Sequence, residues 1–297
     1  MAFTGINKST DYFNTLLYSG DGNTGRNLTG VGFEPSWVWI KERTSTSDHM
    51  LFDQPRGVEK YISSNLTTAE QTSNQMLTAF DSDGFTIGPS NDLNDPGQTY
   101  VGWNWKANGA GSSNTDGDIT STVSADTTSG FSIIKFTGNS STSQSFGHGL
   151  SGTPKMWFIK NITDSGDNWQ VYFNNDTRLK LDTTEAGESN YLMTANATTI
   201  TTPSSSGGAW GNSNGKDFIV YAFQEIQGFS KISTFVGNGS SNGPFLYCGF
   251  KPAFIILKNS SDGAKNWEML DNKRPSSGQN PADDLLFPDT VDAESAS

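Results

Sequence analysis

FNTLLYSGDGNTGRNLTGVGFEPSWVWIK, residues 13–41, is the most informative segment of the chain, because its pattern recurs twice further along. The second copy, residues 131–160, reads FSIIKFTGNSSTSQSFGHGLSGTPKMWFIK, and the third, residues 229–258, reads FSKISTFVGNGSSNGPFLYCGFKPAFIILK. Each copy has an aromatic start, a Gly-Asp or Gly-Asn turn, a proline and a four-residue apolar run that ends in lysine. A period of roughly one hundred residues suits one small domain and is too long for a solenoid unit. We therefore predict a tandem array of three similar modules.

Composition indicates the fold class of these modules. The chain has 297 residues and a low apolar content of 33%, yet it contains 19 Phe, 8 Trp and 8 Tyr. Short strands that carry large aromatic residues and are joined by polar, glycine-rich turns are typical of β-sandwiches. We predict an all-β protein built from tandem β-sandwich modules of jelly-roll-like type.

The repeat and the composition divide the chain into four parts. Module one is predicted to cover residues 1–109, module two residues 130–227, and module three residues 228–297. Between modules one and two, residues 110–129 are rich in Gly, Ser, Thr and Asp, which predicts a flexible linker. Modules two and three follow each other directly, so we expect these two to pack together and module one to be more freely hinged.

The last strand of module one shows a clean alternation. Val101, Trp103 and Trp105 share one face, and polar or small residues share the other. Module two repeats the pattern with Ile219, Tyr221 and Phe223. We expect these aromatic residues to be buried in the core and not to form a sugar-binding platform.

The apolar run that ends each copy has two apolar faces. It is Trp37–Ile40 in module one, Met156–Ile159 in module two and Phe254–Leu257 in module three. A strand of this kind is covered on both sides. One side is the core of its own module, and the other is a loop, a neighbouring module or another subunit.

Module three stops early in the repeat. Its last residues, 289–295, resemble residues 182–189, and module two then continues with a hairpin and the aromatic strand that ends near Glu225. Without these strands a sandwich exposes core and sheet edges. We expect an open edge or a gap beside Phe254–Leu257. The natural chain then continues beyond Ser297, which we favour, or the fragment is held in an assembly, or another chain supplies the strand.

Charge excludes several classes of partner. The formal net charge is −12, whereas nucleic-acid binding and polybasic membrane contacts need a basic surface. No apolar stretch reaches about 18 residues, and none lies at the N-terminus, so we predict neither a membrane span nor a signal peptide. We therefore predict a protein that binds no nucleic acid and is not inserted into a membrane.

Candidate catalytic residues are scarce. The single cysteine, Cys248, aligns with Val31 and His148, so a catalytic thiol or imidazole at this position is improbable. The other histidine, His49, aligns with tryptophan in both other modules and is expected to pack like an aromatic residue. No metal-ligand or phosphate-loop pattern occurs. We predict no catalytic, cofactor-binding or metal-binding residues, and the ligand-binding residues are unknown.

Two acidic motifs have structural and functional interpretations. The sequence Asp81-Ser82-Asp83-Gly84 fits either a hairpin turn or a calcium-binding loop. We favour the hairpin turn, because the glutamate that completes a calcium loop is absent. Asp53-x-x-Arg56 recurs as Asp271-x-x-Arg274. We favour a turn-stabilising ion pair over a ligand site for this motif.

Four segments of module one carry a resemblance to a known family. They are residues 32–41 (GFEPSWVWIK), 51–57 (LFDQPRG), 82–88 (SDGFTIG) and 100–107 (YVGWNWKA). Together they resemble an uncharacterised repeated β-sandwich module of tailed-bacteriophage structural proteins, notably of phages of marine bacteria and cyanobacteria. The resemblance covers nearly the whole chain and is weaker in module two.

The resemblance implies a virion component without enzymatic activity. The expected role is a structural or display protein, either a tail fibre or a capsid decoration or fibre, located in the virion. Expected partners are other copies of the chain in a homo-oligomer, other virion proteins and a host surface glycan. The first alternative is a carbohydrate-binding module for receptor recognition, and a polysaccharide-degrading enzyme ranks below it.

Overall fold

The computed structural model describes residues 4–204, 211–275 and 282–296. Within these residues, helix is limited to a 3-10 turn at Ser9–Asp11 and one short α-helix, α1, at Asn91–Asn94. All other regular structure is β-strand, arranged in antiparallel sheets. The predicted all-β sandwich fold is confirmed.

Module one contains nine strands in two sheets. The strands are β1 Phe13–Ser19, β2 Arg26–Thr29, β3 Trp37–Glu42, β4 Met50–Asp53, β5 Lys60–Ser63, β6 Gln71–Thr72, β7 Leu77–Asp81, β8 Gly84–Ile87 and β9 Thr99–Trp105. The large sheet has the order β1-β9-β3-β4-β5-β6, and the small sheet has the order β2-β8-β7. The last strand, β9, thus lies inside the large sheet, where Trp105 pairs with both Phe13 and Trp37.

The predicted hairpin turn at Asp81–Gly84 is present between β7 and β8. The Asp83 carboxylate accepts hydrogen bonds from the backbone N–H groups of Gly30, at 3.1 Å, and Gly32, at 2.6 Å. Gly84 has a φ of +153°, and a Cβ atom there would lie 1.9 Å from the Leu28 carbonyl oxygen. Glycine is therefore required where the hairpin meets β2.

Module two repeats this architecture. Its strands are β10 Ser112–Asn114, β11 Ser121–Asp126, β12 Phe131–Thr137, β13 Ser145–Gly147, β14 Met156–Asn161, β15 Gln170–Phe173, β16 Thr177–Lys180, β17 Thr194–Ala195, β18 Thr199–Thr201 and β19 Asp217–Phe223. In its large sheet β12-β19-β14-β15-β16 repeats β1-β9-β3-β4-β5, and β13-β18-β17 repeats β2-β8-β7. The two modules pair their strands in the same order, as the sequence repeat predicts.

The segment expected to be a flexible linker, residues 110–129, is ordered into strands. It supplies β10 and β11, and all six residues of β11 pair with β12 from Ser121–Phe136 to Asp126–Phe131. The expectation of flexibility was wrong because low apolar content does not prevent a strand from adding to an existing sheet edge, where backbone hydrogen bonds supply the pairing.

Module three is smaller than the other two. Its strands are β20 Phe254–Leu257, β21 Glu268–Asp271, β22 Asp284–Leu285 and β23 Ser295–Ala296. The pairs β20-β21 and β22-β23 are joined by a bridge between Met269 and Leu286, which reproduces the β3-β4-β5-β6 half of module one. Among the described residues, no strand corresponds to β1 or β9.

Three clusters of apolar side chains organise the layers. Val38 and Ile40 pack beneath the small sheet of module one, and the equivalent cluster in module two lies beneath its own small sheet. Trp37 and Trp39 point the other way, into a cluster with aromatic residues of both other modules, among them Phe131, Trp169, Tyr221 and Trp267. The second apolar face of β3 is therefore covered by neighbouring modules.

This shared core corrects the expectation of a freely hinged module one. The large sheets of modules one and two bury their aromatic faces together, and Trp37 stacks on Tyr221 with ring centroids 4.2 Å apart. A hinge would expose this apolar area to water, which is unfavourable. The module boundaries stay a prediction.

The burial expected for the alternating strands is confirmed for Trp103, Trp105 and Tyr221. Phe223 differs, since it is half-buried at the margin of the shared core. The opposite face of β9 is also buried: a Cβ on Gly102 would touch the Phe85 ring at 3.5 Å. This face of β9 packs beneath the small sheet, where Tyr100 belongs to the apolar cluster. Both faces of the large sheet are therefore covered.

Candidate binding site in module three

The predicted aromatic-like role of His49 is confirmed by its contacts. The side chain is fully buried, and its Nδ1 accepts a hydrogen bond from Trp39 Nε1 at 2.9 Å. The ring proton must therefore be on Nε2, which lies 3.0 Å from the Phe287 carbonyl oxygen and donates to it. Burial holds the pKa of His49 well below its usual range, so the imidazole is neutral.

The other two candidate groups also make local contacts. His148 is buried, and its Nδ1 accepts from the Leu150 N–H while Nε2 donates to the Asn196 carbonyl. The Cys248 thiol lies 3.7 Å from the Leu246 carbonyl oxygen. Each of these groups has a structural partner, so the geometry gives no support to a nucleophile and base pair.

The repeated Asp-x-x-Arg motif forms an ion pair, as predicted, and this pair is completely buried. Arg56 Nε lies 2.5 Å from Asp53 Oδ2, and both side chains are inaccessible to solvent. Arg274 and Asp271 form the same pair at 2.6 Å. In both cases the arginine also donates to a backbone carbonyl of the preceding strand, so the pair fixes the turn after β4 and the turn after β21.

These buried carboxylates also receive hydrogen bonds from another module. The Tyr221 hydroxyl of module two donates to Asp53 of module one at 2.6 Å. Trp103 Nε1 of module one donates to Asp271 of module three at 2.9 Å. The donors occupy equivalent positions on β19 and β9, the last strands of modules two and one. Each of these strands is thus hydrogen-bonded to an aspartate of a neighbouring module, β19 to module one and β9 to module three.

A second set of hydrogen bonds follows the same direction around all three modules. In each module, the aromatic residue just before β4, β15 or β21 donates to a backbone carbonyl of a neighbouring module. The bonds join Trp169 to Ser63, His49 to Phe287, and Trp267 to Lys180, at 2.8, 3.0 and 2.8 Å. The modules are thus arranged as a closed ring with approximate threefold repetition.

One position in this ring lacks its strand. In module one β3 lies between β4 and β9, and in module two β14 lies between β15 and β19. In module three β20 pairs with β21 on one side, and no described strand lies on the other. At the place where Asp53 and Asp271 accept their bonds, module two has Phe173. The third contact of this kind would join module three to module two. In the described part of the chain, it has neither a donor strand in module three nor an aspartate acceptor in module two.

A large cavity occupies this place. It has a volume of about 1230 Å³, and it is lined by aromatic residues of the shared core, including Trp37, Trp105 and Phe158, and by Phe173 of module two. Phe254, Ile255 and Ile256 form the β20 side of the cavity. The gap predicted beside Phe254–Leu257 is confirmed.

Apolar side chains near the cavity are exposed where module one buries them. Phe245 is 90% exposed, whereas the equivalent residue of module one, Leu28, is 6% exposed beneath the small sheet. Tyr247 and Val236 are also largely exposed.

The charged residues around the cavity are nearly all basic. Among the described residues, its lining contains one acidic side chain, Glu268, and five lysines, Lys231, Lys251, Lys258, Lys265 and Lys273. This is the reverse of the whole chain, which has a net charge of −12. Burial lowers the pKa of Lys258, whose ammonium donates to the Lys265 carbonyl. One of the five, Lys231, is already paired with Glu225 at 2.7 Å. The sequence repeat predicts the gap but not these lysines, which lie at separate positions along module three.

The chain is therefore an all-β protein of three similar modules in which, among the described residues, one strand position is open. The chain belongs to the family described as Domain of unknown function (DUF7483), whose model matches residues 8–297. No curated protein and no solved structure matches the chain. In the described part of the chain, every helix is too short and too polar to cross a membrane.

Proposed function

We propose that this chain is a non-enzymatic structural or display protein of a bacteriophage virion, either a tail fibre or a capsid decoration. The observation that carries the proposal is one edge of β20, which no described strand pairs, beside an apolar cavity of about 1230 Å³. An exposed strand edge is a template for pairing with another chain. The resemblance of the four segments of module one to phage structural modules supplies the context.

The proposed partners are other copies of the chain, other virion proteins and a host surface glycan. The histidine contacts support a non-enzymatic role, because both imidazoles are committed to hydrogen bonds that hold the fold. The ring of three modules supports a rigid display unit, since its aromatic core joins residues of all three.

The proposal is tested on purified phage particles from a host strain that carries the gene. Particles are banded by density, and their proteins are identified by mass spectrometry and by immunogold labelling with an antibody to the chain. We expect the chain in the band and gold at one place on the particle, with a phage replication enzyme as the negative control. Recovery of the chain solely in the soluble lysate would refute the proposal.

A carbohydrate-binding role is the second candidate, and one observation favours it. Phe245 and Tyr247 expose 90% and 80% of their surfaces on one module, and exposed aromatic rings can stack on sugars. The equivalence of Phe245 with the buried Leu28 favours an uncovered core over a sugar platform. Binding to a glycan array that is lost in Tyr247→Ala would support this candidate, and equal binding by the variant would contradict it.

A further inference from the structure

Modules one and three meet along a one–three seam, formed chiefly by residues 43–49 and residues 287–294. The chain passes from module one to module two and from module two to module three, so this seam is held by noncovalent contacts alone. The Ser47 N–H donates to the Val291 carbonyl at 3.0 Å. In the opposite direction, the Glu294 N–H donates to the Arg43 carbonyl at 2.8 Å. These two backbone bonds exist only while the seam is closed.

His49 lies in the one–three seam and uses both of its ring nitrogens there. Nδ1 accepts from Trp39 Nε1 at 2.9 Å, and Nε2 donates to the Phe287 carbonyl of module three at 3.0 Å. A charged imidazole carries a proton on each nitrogen. The added proton would have to lie on Nδ1, facing the Trp39 N–H, which is itself only a donor. A charged His49 is therefore incompatible with the contacts of the closed seam.

Two cations of the seam act in the same direction. Burial is the main cause that holds the pKa of His49 well below its usual range, and the charges of Lys41 and Arg274 lower it further. Both cations are buried. Lys41 donates to the Glu42 carbonyl at 2.7 Å, which keeps its ammonium in place. Arg274 is kept in place by its ion pair with Asp271 at 2.6 Å.

The carboxylates of the seam bind other groups. With the group that each accepts from in parentheses, they are Asp48 (Asn65), Asp271 (Arg274), Asp289 (the Trp267 N–H), Asp292 (the Thr290 hydroxyl) and Glu294 (Arg43). Burial also raises the pKa of Asp289 to about 6, so this carboxylate loses its charge in the pH range in which a free histidine gains one. In the described part of the chain, a proton on His49 therefore has no carboxylate partner.

The other two seams have no titratable group at this position. Trp169 and Trp267 take the place of His49 and donate to backbone carbonyls of neighbouring modules. An indole N–H is a donor only and does not titrate near neutral pH. Phe158, which has no polar group, takes the place of Trp39 in module two. The bond between indole and imidazole is thus specific to the one–three seam.

We propose that the one–three seam is an acid-sensitive joint, at which proton uptake by His49 separates module three from module one while both stay connected through module two. The closed seam is favoured above about pH 6.5, where histidine is neutral in the open state as well, and it loses this advantage as the pH falls. The inference goes beyond the proposed function and does not rest on it.

Two other groups titrate in the same range and act elsewhere or in the opposite direction. The raised pKa of Asp289 stabilises the folded chain increasingly as the pH falls through about 6, so this carboxylate opposes opening. His148 makes both of its ring bonds within module two, to the Leu150 N–H and the Asn196 carbonyl. Its protonation therefore affects module two and leaves the contacts of the one–three seam in place.

The test measures hydrogen exchange of the whole chain by nuclear magnetic resonance. The reporters are the Ser47 and Glu294 amides, and the reference is the β7–β8 hairpin inside module one. Protection factors are used because they remove the intrinsic pH dependence of exchange. We expect the protection of both reporters to fall about tenfold from about pH 7.5 to about pH 5.5, since His49 has an ordinary pKa in the open seam. The reference amides should keep their protection.

The matched variant combines Trp39→Phe with His49→Trp. It installs the pair that module two has at the same positions, Phe158 and Trp169, and it removes the titratable group. His49→Gln is a second variant, which keeps a donor and an acceptor but does not titrate in this range. Both variants should lose the acid-induced fall in reporter protection. Asp289 and His148 are unchanged in them, so their contributions cancel in the comparison with the wild type. Thermal melting at about pH 7.5 checks that the variants fold.

Three results would overturn the inference. Constant protection of the Ser47 and Glu294 amides over this pH range would show that the seam does not respond to acid. An equal fall in the wild type and in a folded variant would assign the response to groups other than His49. An equal loss of protection in the β7–β8 hairpin would indicate unfolding of the whole chain instead of opening at one seam.

Discussion

Asp53→Asn tests the buried ion pair that joins modules one and two. The Asp53 carboxylate has no solvent exposure and accepts from Arg56 Nε, the Arg56 backbone N–H and the Tyr221 hydroxyl. Asparagine keeps the side-chain volume but removes the charge, so Arg56 stays buried with Glu70 3.7 Å away as its nearest carboxylate. Breaking a buried pair from one side costs about 3–5 kcal/mol. We expect a loss of that size in the free energy of unfolding.

The assay is guanidinium unfolding followed by tryptophan fluorescence and far-ultraviolet circular dichroism. The matched control is Asp11→Asn, which breaks an ion pair with Lys8 whose side chains are 47% and 67% exposed, respectively, and should cost less than about 1 kcal/mol. A double variant, Asp53→Asn with Arg56→Met, removes both charges and should recover part of the loss. A single-variant cost equal to the control, or a double variant less stable than the single one, would refute the reasoning.

Four further predictions follow from burial and protonation. Trp105→Ala should cost about 3–5 kcal/mol by denaturant unfolding, because a large side chain leaves the shared core; a cost near zero would contradict its assigned burial. Burial lowers the pKa of Lys160 to about 8, so the unfolded chain binds more protons between about pH 8 and 10.5, and stability should rise with pH there; Lys160→Met should flatten that rise. The pKa of His49 is also lowered, so below about pH 6.5 His49 gains a proton in the unfolded chain but not in the folded chain. The stability advantage of the wild type over His49→Gln should therefore shrink as the pH falls. A difference in stability that stays constant with pH would count against the neutral imidazole. Gly84→Ala should destabilise the chain in thermal melts more than Gly5→Ala, where a Cβ meets no atom within 4 Å.

The threefold repeat and the binary patterns are properties of the amino-acid sequence alone. Alternation at Trp103 and Trp105 predicts their strand and their burial, and two apolar faces at Trp37–Ile40 predict a strand covered on both sides. The gap beside β20 follows from comparing the third copy with the second. These inferences succeed because strand periodicity and repeat length are local properties, set by side chains that alternate along one segment.

Other features depend on contacts between distant segments. The sequence does not indicate which module covers Trp37, that residues 110–129 extend a sheet, or that the Asp53–Arg56 pair is buried. The five lysines that line the cavity likewise lie at separate positions along the chain.

The amino-acid sequence therefore specifies the repeating unit, an all-β module that occurs three times. How the three units meet depends on the tertiary structure. Packing two aromatic sheet faces against each other removes apolar surface from water, and this gain depends on the relative placement of whole sheets. No local pattern encodes that placement, so the shared core, the hydrogen bonds between modules and the chemistry of the cavity appear only in the folded molecule.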